Sequence, residues 1–182
     1  MKKHTATVAV TALLATTGIA LAANTITFTG EVTDQTCSVT VDGSTDPTVI
    51  LNSVPVNALS GGPTSSAGET SFTVQLNDCI APATASQEHF TALFQAVNPT
   101  EAGNLANTAS GGATGVALQL LNAPGGTAVN LGGGAAVAAG DIILAEGQTS
   151  TRGDYAIQYV SEALSVTPGP VTGALNYTLR YE

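Results

Sequence analysis

Positive charge is nearly missing from this chain. Its 182 residues carry four lysines and arginines against thirteen aspartates and glutamates. Both lysines, Lys2 and Lys3, stand at the extreme N-terminus, and beyond them only Arg152 and Arg180 remain. A nucleic acid or an anionic membrane needs clustered Lys and Arg, so neither is expected as a partner. Tryptophan is absent and aromatics make up 4% of the residues. No stretch of ten or more residues shows a capped i, i+3, i+4, i+7 apolar pattern, which argues against helices. After residue 22 there is one histidine, His89. No Gly-x-Ser-x-Gly elbow accompanies it. Gly132-Gly133-Gly134 is followed by no Lys-Ser/Thr and makes no phosphate loop. Asp141 and Asp154 lack the spacing of a calcium loop. Scattered carboxylates without an aromatic platform do not suggest glycoside hydrolysis. Catalysis, a metal and a cofactor are therefore not expected.

What is present begins with an export signal. Lys2 and Lys3 precede an apolar stretch over residues 8–21, and Ala20-Leu21-Ala22 supplies the small residues of a cleavage site. Residues 1–22 are expected to be removed, leaving Ala23 as the first residue. The apolar stretch is too short and too rich in threonine to cross about 30 Å of hydrocarbon. The remaining 160 residues suit one domain. The two cysteines, Cys37 and Cys79, then read as a disulfide formed in an oxidising compartment. Its loop is worth about 4 kcal/mol in the chain-entropy model.

Short apolar runs, separated by Gly, Pro, Asn and Ser clusters, predict strands near 25–33, 35–41, 48–51, 70–77, 89–97, 115–121, 141–144, 153–161 and 172–181. Seven to nine short strands of this kind suggest a two-sheet sandwich. The Gly/Ala-rich residues 132–140 read as a surface loop.

Both ends of the chain alternate strictly. Ile26, Phe28, Gly30 and Val32 share one face of an extended segment, and threonines and Glu31 share the other. Two residues, Asp34 and Gln35, separate this segment from the run around Cys37, Val39 and Val41, with no Gly or Pro turn. It fits either a segment overhanging the domain or a long, bent first strand. At the other end Gly173, Leu175, Tyr177, Leu179 and Tyr181 share a face and the chain stops at Glu182. This fits either an open sheet edge, which invites another strand, or an ordinary last strand.

Several stretches together resemble the major pilin of type 1 and related chaperone–usher fimbriae. They are Phe28-Thr29-Gly30-Glu31-Val32, then Thr36-Cys37-Ser38-Val39, then Phe72-Thr73-Val74-Gln75-Leu76-Asn77-Asp78-Cys79, then Gly115-Val116-Ala117-Leu118-Gln119-Leu120. Gly169, fourteenth from the end, and the penultimate Tyr181 complete the set. The resemblance implies an all-β, immunoglobulin-like sandwich that lacks its last strand and is completed by donor-strand exchange. It implies a donor extension over residues 23–34, with Ile26, Phe28, Gly30 and Val32 as its inserted face, and a pilin domain over 35–182. Gly169, Gly173, Leu175, Tyr177, Leu179, Tyr181 and Glu182 would form the groove strand and the chaperone contact. The implied partners are a periplasmic chaperone, an outer-membrane usher, other copies of the chain and minor pilins. The product would be a surface fimbria that supports adhesion. A minor or adaptor pilin, or a secreted immunoglobulin-like binding domain, is the alternative.

Overall fold

The structure is a computed structural model, and it describes residues 37–181. The expected signal segment, the extension over 23–34 and Glu182 lie outside the described residues. Among these residues eight strands are present: β1 Ser38–Val41, β2 Ser66–Asn77, β3 Glu88–Ala96, β4 Leu105–Ala106, β5 Val116–Leu121, β6 Val137–Leu144, β7 Thr151–Ser161 and β8 Leu175–Tyr181. One turn of 3-10 helix covers Val56–Leu59. The strands form a five-stranded sheet, β1-β2-β7-β5-β4, and a three-stranded sheet, β6-β3-β8. Every pairing is antiparallel.

Period-2 alternation explains how the two sheets meet, because it places one apolar face on each strand. β2 contributes Phe72, Val74 and Leu76, β3 contributes Phe90, Ala92 and Phe94, β5 contributes Leu118 and Leu120, and β7 contributes Tyr155 and Ile157. The centre is aromatic. Phe72, Phe94 and Tyr155 pack with ring centroids 5.0–6.3 Å apart, two of the contacts edge-on, the geometry that aromatic quadrupoles favour. The Tyr155 hydroxyl sits in this core, and burial, helped by nearby Asp141, pushes its pKa up to about 12.

Cys37 and Cys79 are bonded. The bridge ties the start of β1 to the residue two past β2, where Cys79 N–H also donates to Thr149 O at 3.0 Å. β1 therefore needs only four residues of pairing to stay in register.

Three local expectations are corrected. Residues 48–51 form no strand. Val49 and Leu51 do turn inward onto the core, but among the described residues no strand pairs with them. The expected surface loop, 132–140, is loop only as far as 136, and β6 begins at Val137. Ala139 is buried there, because a small residue fits where the pairing with β3 slips between Thr91 and Leu93. Neither β4 nor the 3-10 turn is expected from the sequence, since both are too short for a periodic signal.

Candidate functional site

The unusual feature of the sandwich is one edge of its smaller sheet. β8 pairs with β3 in an unbroken register from Phe90↔Tyr181 to Ala96↔Leu175. Among the described residues it pairs with no other strand. Leu175, Tyr177, Leu179 and Tyr181 face the core and pack on it. Their cross-strand partners Phe90, Ala92, Phe94 and Ala96 are 0–5% exposed, yet all four β8 residues remain only half-buried. Among the described residues β6, like β8, has β3 as its one neighbour in the sheet, yet its inward residues Ala139, Ile142 and Leu144 are buried, so the partly uncovered row is peculiar to β8. Tyr181 stacks edge-on against Phe90, with centroids 5.2 Å apart, so the row is ordered as well as partly uncovered.

Other apolar residues packed against the core are half-buried too. Val171 lies upstream of β8, Val39 of β1 lies at the edge of the larger sheet, and Val49 and Leu51 come from the unpaired segment. Tyr159 of β7 is also packed against the core and half-buried, and burial raises its pKa. Near the start of β8 a cavity of about 350 Å³ opens, lined by Val54, Leu59, Val116, Tyr159, Val166 and Val171 among others. Gly169 lines the same cavity. A Cβ there would lie 2.5 Å from Ala113 N, so the chain passes the 112–113 backbone at contact. Gly173 faces Leu105 and Leu118, 3.1 Å from where its Cβ would stand.

The structure thus brings Leu175, Tyr177, Leu179 and Tyr181 together on β8. It places Gly173 just before the strand and Gly169 at the cavity, not on the groove strand. Ile26, Phe28, Gly30, Val32 and Glu182 lie outside the described residues. Val49, Leu51, Val171 and Tyr159 are not among the site residues expected from the sequence. The signal at Val49 and Leu51 is the short apolar run Val49-Ile50-Leu51, which does not say which of its residues turn inward.

A family model for fimbrial proteins matches residues 26–182. The chain belongs to the fimbrial protein family. It is 41% identical over 160 residues to an F17 fimbrial protein of Escherichia coli, covering 86% of each. It is 35% identical over 170 residues to the major fimbrial subunit SMF-1 of Stenotrophomonas maltophilia, covering 88% of this chain and 96% of that one. Solved structures share the fold. The P pilus rod subunit PapA superposes with a TM-score of 0.54 at 21% identity, over 87% of this chain and 100% of its own. An antigen and type I fimbria protein of Burkholderia pseudomallei gives 0.55 at 23% identity, over 81% and 99%.

The chain is therefore a fimbrial subunit of the chaperone–usher type, a structural protein and not an enzyme. Fimbriae are surface appendages, which implies an extracellular location for this fimbrial protein. The polar features of the subunit fit that role. His89 Nδ1 lies 2.8 Å from Asp141 Oδ2 on the outer face of the smaller sheet, beside a recess of about 550 Å³ lined by Ser86, Gln87 and Glu146 among others. The Ser86 hydroxyl donates to Ala83 O at 2.6 Å and the Glu146 carboxylate accepts from Ala85 N–H at 2.8 Å. Both side chains thus hold the 82–87 turn, and the His–Asp pair joins β3 to β6.

Proposed function

We propose that this subunit polymerises by strand donation. An extended segment of another copy lies along β8, fills the groove and adds a fourth strand to the smaller sheet, a recognised form of strand addition. The observation that carries this reading is the half-burial of Leu175, Tyr177, Leu179 and Tyr181 beside fully buried partners on β3. Inward-facing apolar side chains packed on a core are ordinarily covered on both flanks. Among the described residues no strand pairs with β8 on its other flank, along seven residues.

The donated segment is residues 23–34. Its face of Ile26, Phe28, Gly30 and Val32 has the two-residue pitch of Leu175, Tyr177, Leu179 and Tyr181, so four positions meet four positions. Burying Ile26, Phe28 and Val32 contributes about 1.5–3 kcal/mol each. Each main-chain hydrogen bond adds about 1 kcal/mol net. Gly30 lets the backbone approach a shallow part of the groove. Val39, Val49 and Leu51 form the opposite wall, and the backbone near 48–51, which belongs to neither sheet, offers groups to the incoming strand. Before assembly a periplasmic chaperone fills the groove, and the usher exchanges it for the next subunit. The Glu182 carboxylate would meet basic groups of the chaperone. Because each copy accepts at one place and donates from another, the contact is heterologous and extends into a fibre. The fibre displayed on the cell surface supports adhesion.

The test is electrophoresis of surface protein in SDS without boiling. The native chain is expected to run as a ladder. Deletion of residues 23–33, or Gly30→Leu, is expected to abolish the ladder while subunits still bind the chaperone. A ladder that survives the deletion overturns the donor assignment. Shortened or non-adhesive fibres upon loss of this chain would instead mark a minor pilin.

A further inference from the structure

The chain enters β8 by crossing from the larger sheet to the smaller one. Leu175–Tyr181 pairs with β3, and Val97 N–H, one residue past β3, donates to Ala174 O at 3.1 Å. The residues just upstream bond elsewhere. Thr108 N–H donates to Thr172 O at 2.8 Å, and Ala113 N–H donates to Pro170 O at 3.0 Å. Residues 107–113 follow directly on β4, the edge strand of the larger sheet. The partner thus changes at Gly173, whose Cβ would stand 3.1 Å from Leu105 and from Leu118. A strand that switches sheets needs a bend, and the backbone groups on either side of it must still find partners.

One side chain serves this crossing. Asn107 comes immediately after β4, and its amide makes four hydrogen bonds. Nδ2 donates to Ala113 O at 2.9 Å and to Pro170 O at 3.1 Å. Oδ1 accepts from Ala109 N–H at 3.1 Å and from Thr172 N–H at 3.0 Å. Two of these bonds hold its own loop, and two hold the segment that runs into β8. Both donor hydrogens and both oxygen lone pairs are in use. The backbones around it touch. A Cβ on Gly112 would lie 2.6 Å from Asn107 Nδ2 and 2.9 Å from Pro170 O, and one on Gly169 would lie 2.5 Å from Ala113 N. A hydroxyl offers one donor and an ionised carboxylate none, so neither can complete this set.

We propose that Asn107 is a positioning residue for strand acceptance: it anchors the entry to β8 and so holds in place the strand on which a donated segment pairs. The inference rests on the strand donation proposed above. Among the described residues β8 has one strand neighbour, so its two ends depend on contacts outside its own ladder. At its close the Tyr181 ring packs edge-on against Phe90. At its start the anchor is the Asn107 amide, with the Thr108 hydroxyl adding a bond to Thr172 O at 3.1 Å. Without the amide the first residues of β8 open locally, as strand ends with few partners do. An incoming strand then loses its template beside Leu175.

The test uses assembled fibres of the full-length chain carrying Asn107→Ala, Asn107→Asp or the milder Thr108→Val. Two quantities are compared with the native chain: the temperature at which the unboiled SDS ladder collapses, and hydrogen exchange in peptides covering 174–180 and 70–77. No amide of 174–180 bonds Asn107 directly. Exchange there is expected to rise about ten-fold in both Asn107 variants, less in Thr108→Val, with 70–77 unchanged. The collapse temperature should fall in the same order. The aspartate adds a pH signature. Ionised, it has no proton for Ala113 O or Pro170 O, and protonated below about pH 4 it regains one donor. Its exchange excess over the native chain at the same pH should therefore shrink on acidification, while that of Asn107→Ala stays. Exchange that rises equally in 70–77, or not at all in 174–180, would overturn the inference. So would an unchanged collapse temperature or a pH response shared by the alanine variant. If neither Asn107 variant forms fibres, Thr108→Val decides by the same two readouts. Failure of strand donation itself has a different signature, the absence of any ladder from the native chain.

Discussion

β6 and β8 flank the same central strand, β3, on opposite sides, and the sequence treats these two outer strands differently. β6 is broken as a template. Its register slips between Thr91 and Leu93 of its partner, Gly140 adopts φ +122°, Asp141 carries a charge, and the Thr151 hydroxyl donates to Ile143 O at 2.7 Å. Bulges, charges and covered carbonyls are the usual means of blunting a sheet edge. β8 has an unbroken register along its seven residues and presents four half-buried apolar side chains. An open strand of this kind is a hazard in a soluble monomer; under the proposed strand donation, blunting one edge while leaving the other regular would direct association to a single place.

Charge on β8 should break that difference most severely. Leu179→Asp puts a carboxylate into the groove, where an unpaired charge costs several kcal/mol. The expected outcome is loss of the unboiled SDS ladder, whereas the same charge at Ile143 of β6, 45% exposed, leaves the ladder intact. A ladder lost from both variants would show that the two edges are equivalent.

Alkaline pH probes the core beneath both edges. Tyr155 titrates near 10 when unfolded and is pushed up to about 12 in the fold. The folded state therefore holds its proton longer. The stability this contributes is present below pH 10 and is lost as pH rises from 10 toward 12. Urea midpoints measured across that range should fall more steeply for the native chain than for Tyr155→Phe. Equal slopes would remove Tyr155 as the cause.

The smallest effect is expected at the β3–β6 seam. Asp141→Asn removes the charge facing His89, but the pair is exposed, and such pairs contribute about 0–1 kcal/mol. The urea midpoint should move little and the ladder should persist. A loss of polymer on this change would mean that β6 takes part in assembly.

The strands with long alternating runs were legible in the sequence because alternation reports which side chains are buried. The runs near 70–77, 89–97, 115–121 and 153–161 are all strands in the fold, with boundaries shifted by a few residues. A short apolar run misleads at 48–51. Val49 and Leu51 are turned inward without a sheet partner among the described residues, since an apolar run records burial and says nothing of hydrogen bonds. It fails in the opposite sense at Val137–Leu144, where a Gly/Ala-rich start conceals a strand. Of the site, the row Leu175, Tyr177, Leu179 and Tyr181 was readable residue by residue. The distance of Gly169 from the C-terminus groups it with that strand, and the fold puts it at the cavity instead.

By itself the sequence determined that the body is all-β and that Cys37 and Cys79 are available to pair. It also determined that the C-terminal residues present one apolar face. It did so because side-chain alternation, turn residues and cysteine count are local properties. Only the tertiary structure decided that this face lies, among the described residues, at the edge of a three-stranded sheet and is left half-buried there. How far the inward face of an edge strand is covered depends on residues far away in the chain, as buried β6 and half-buried β8 show, so the half-burial of β8 is a property of the whole sandwich.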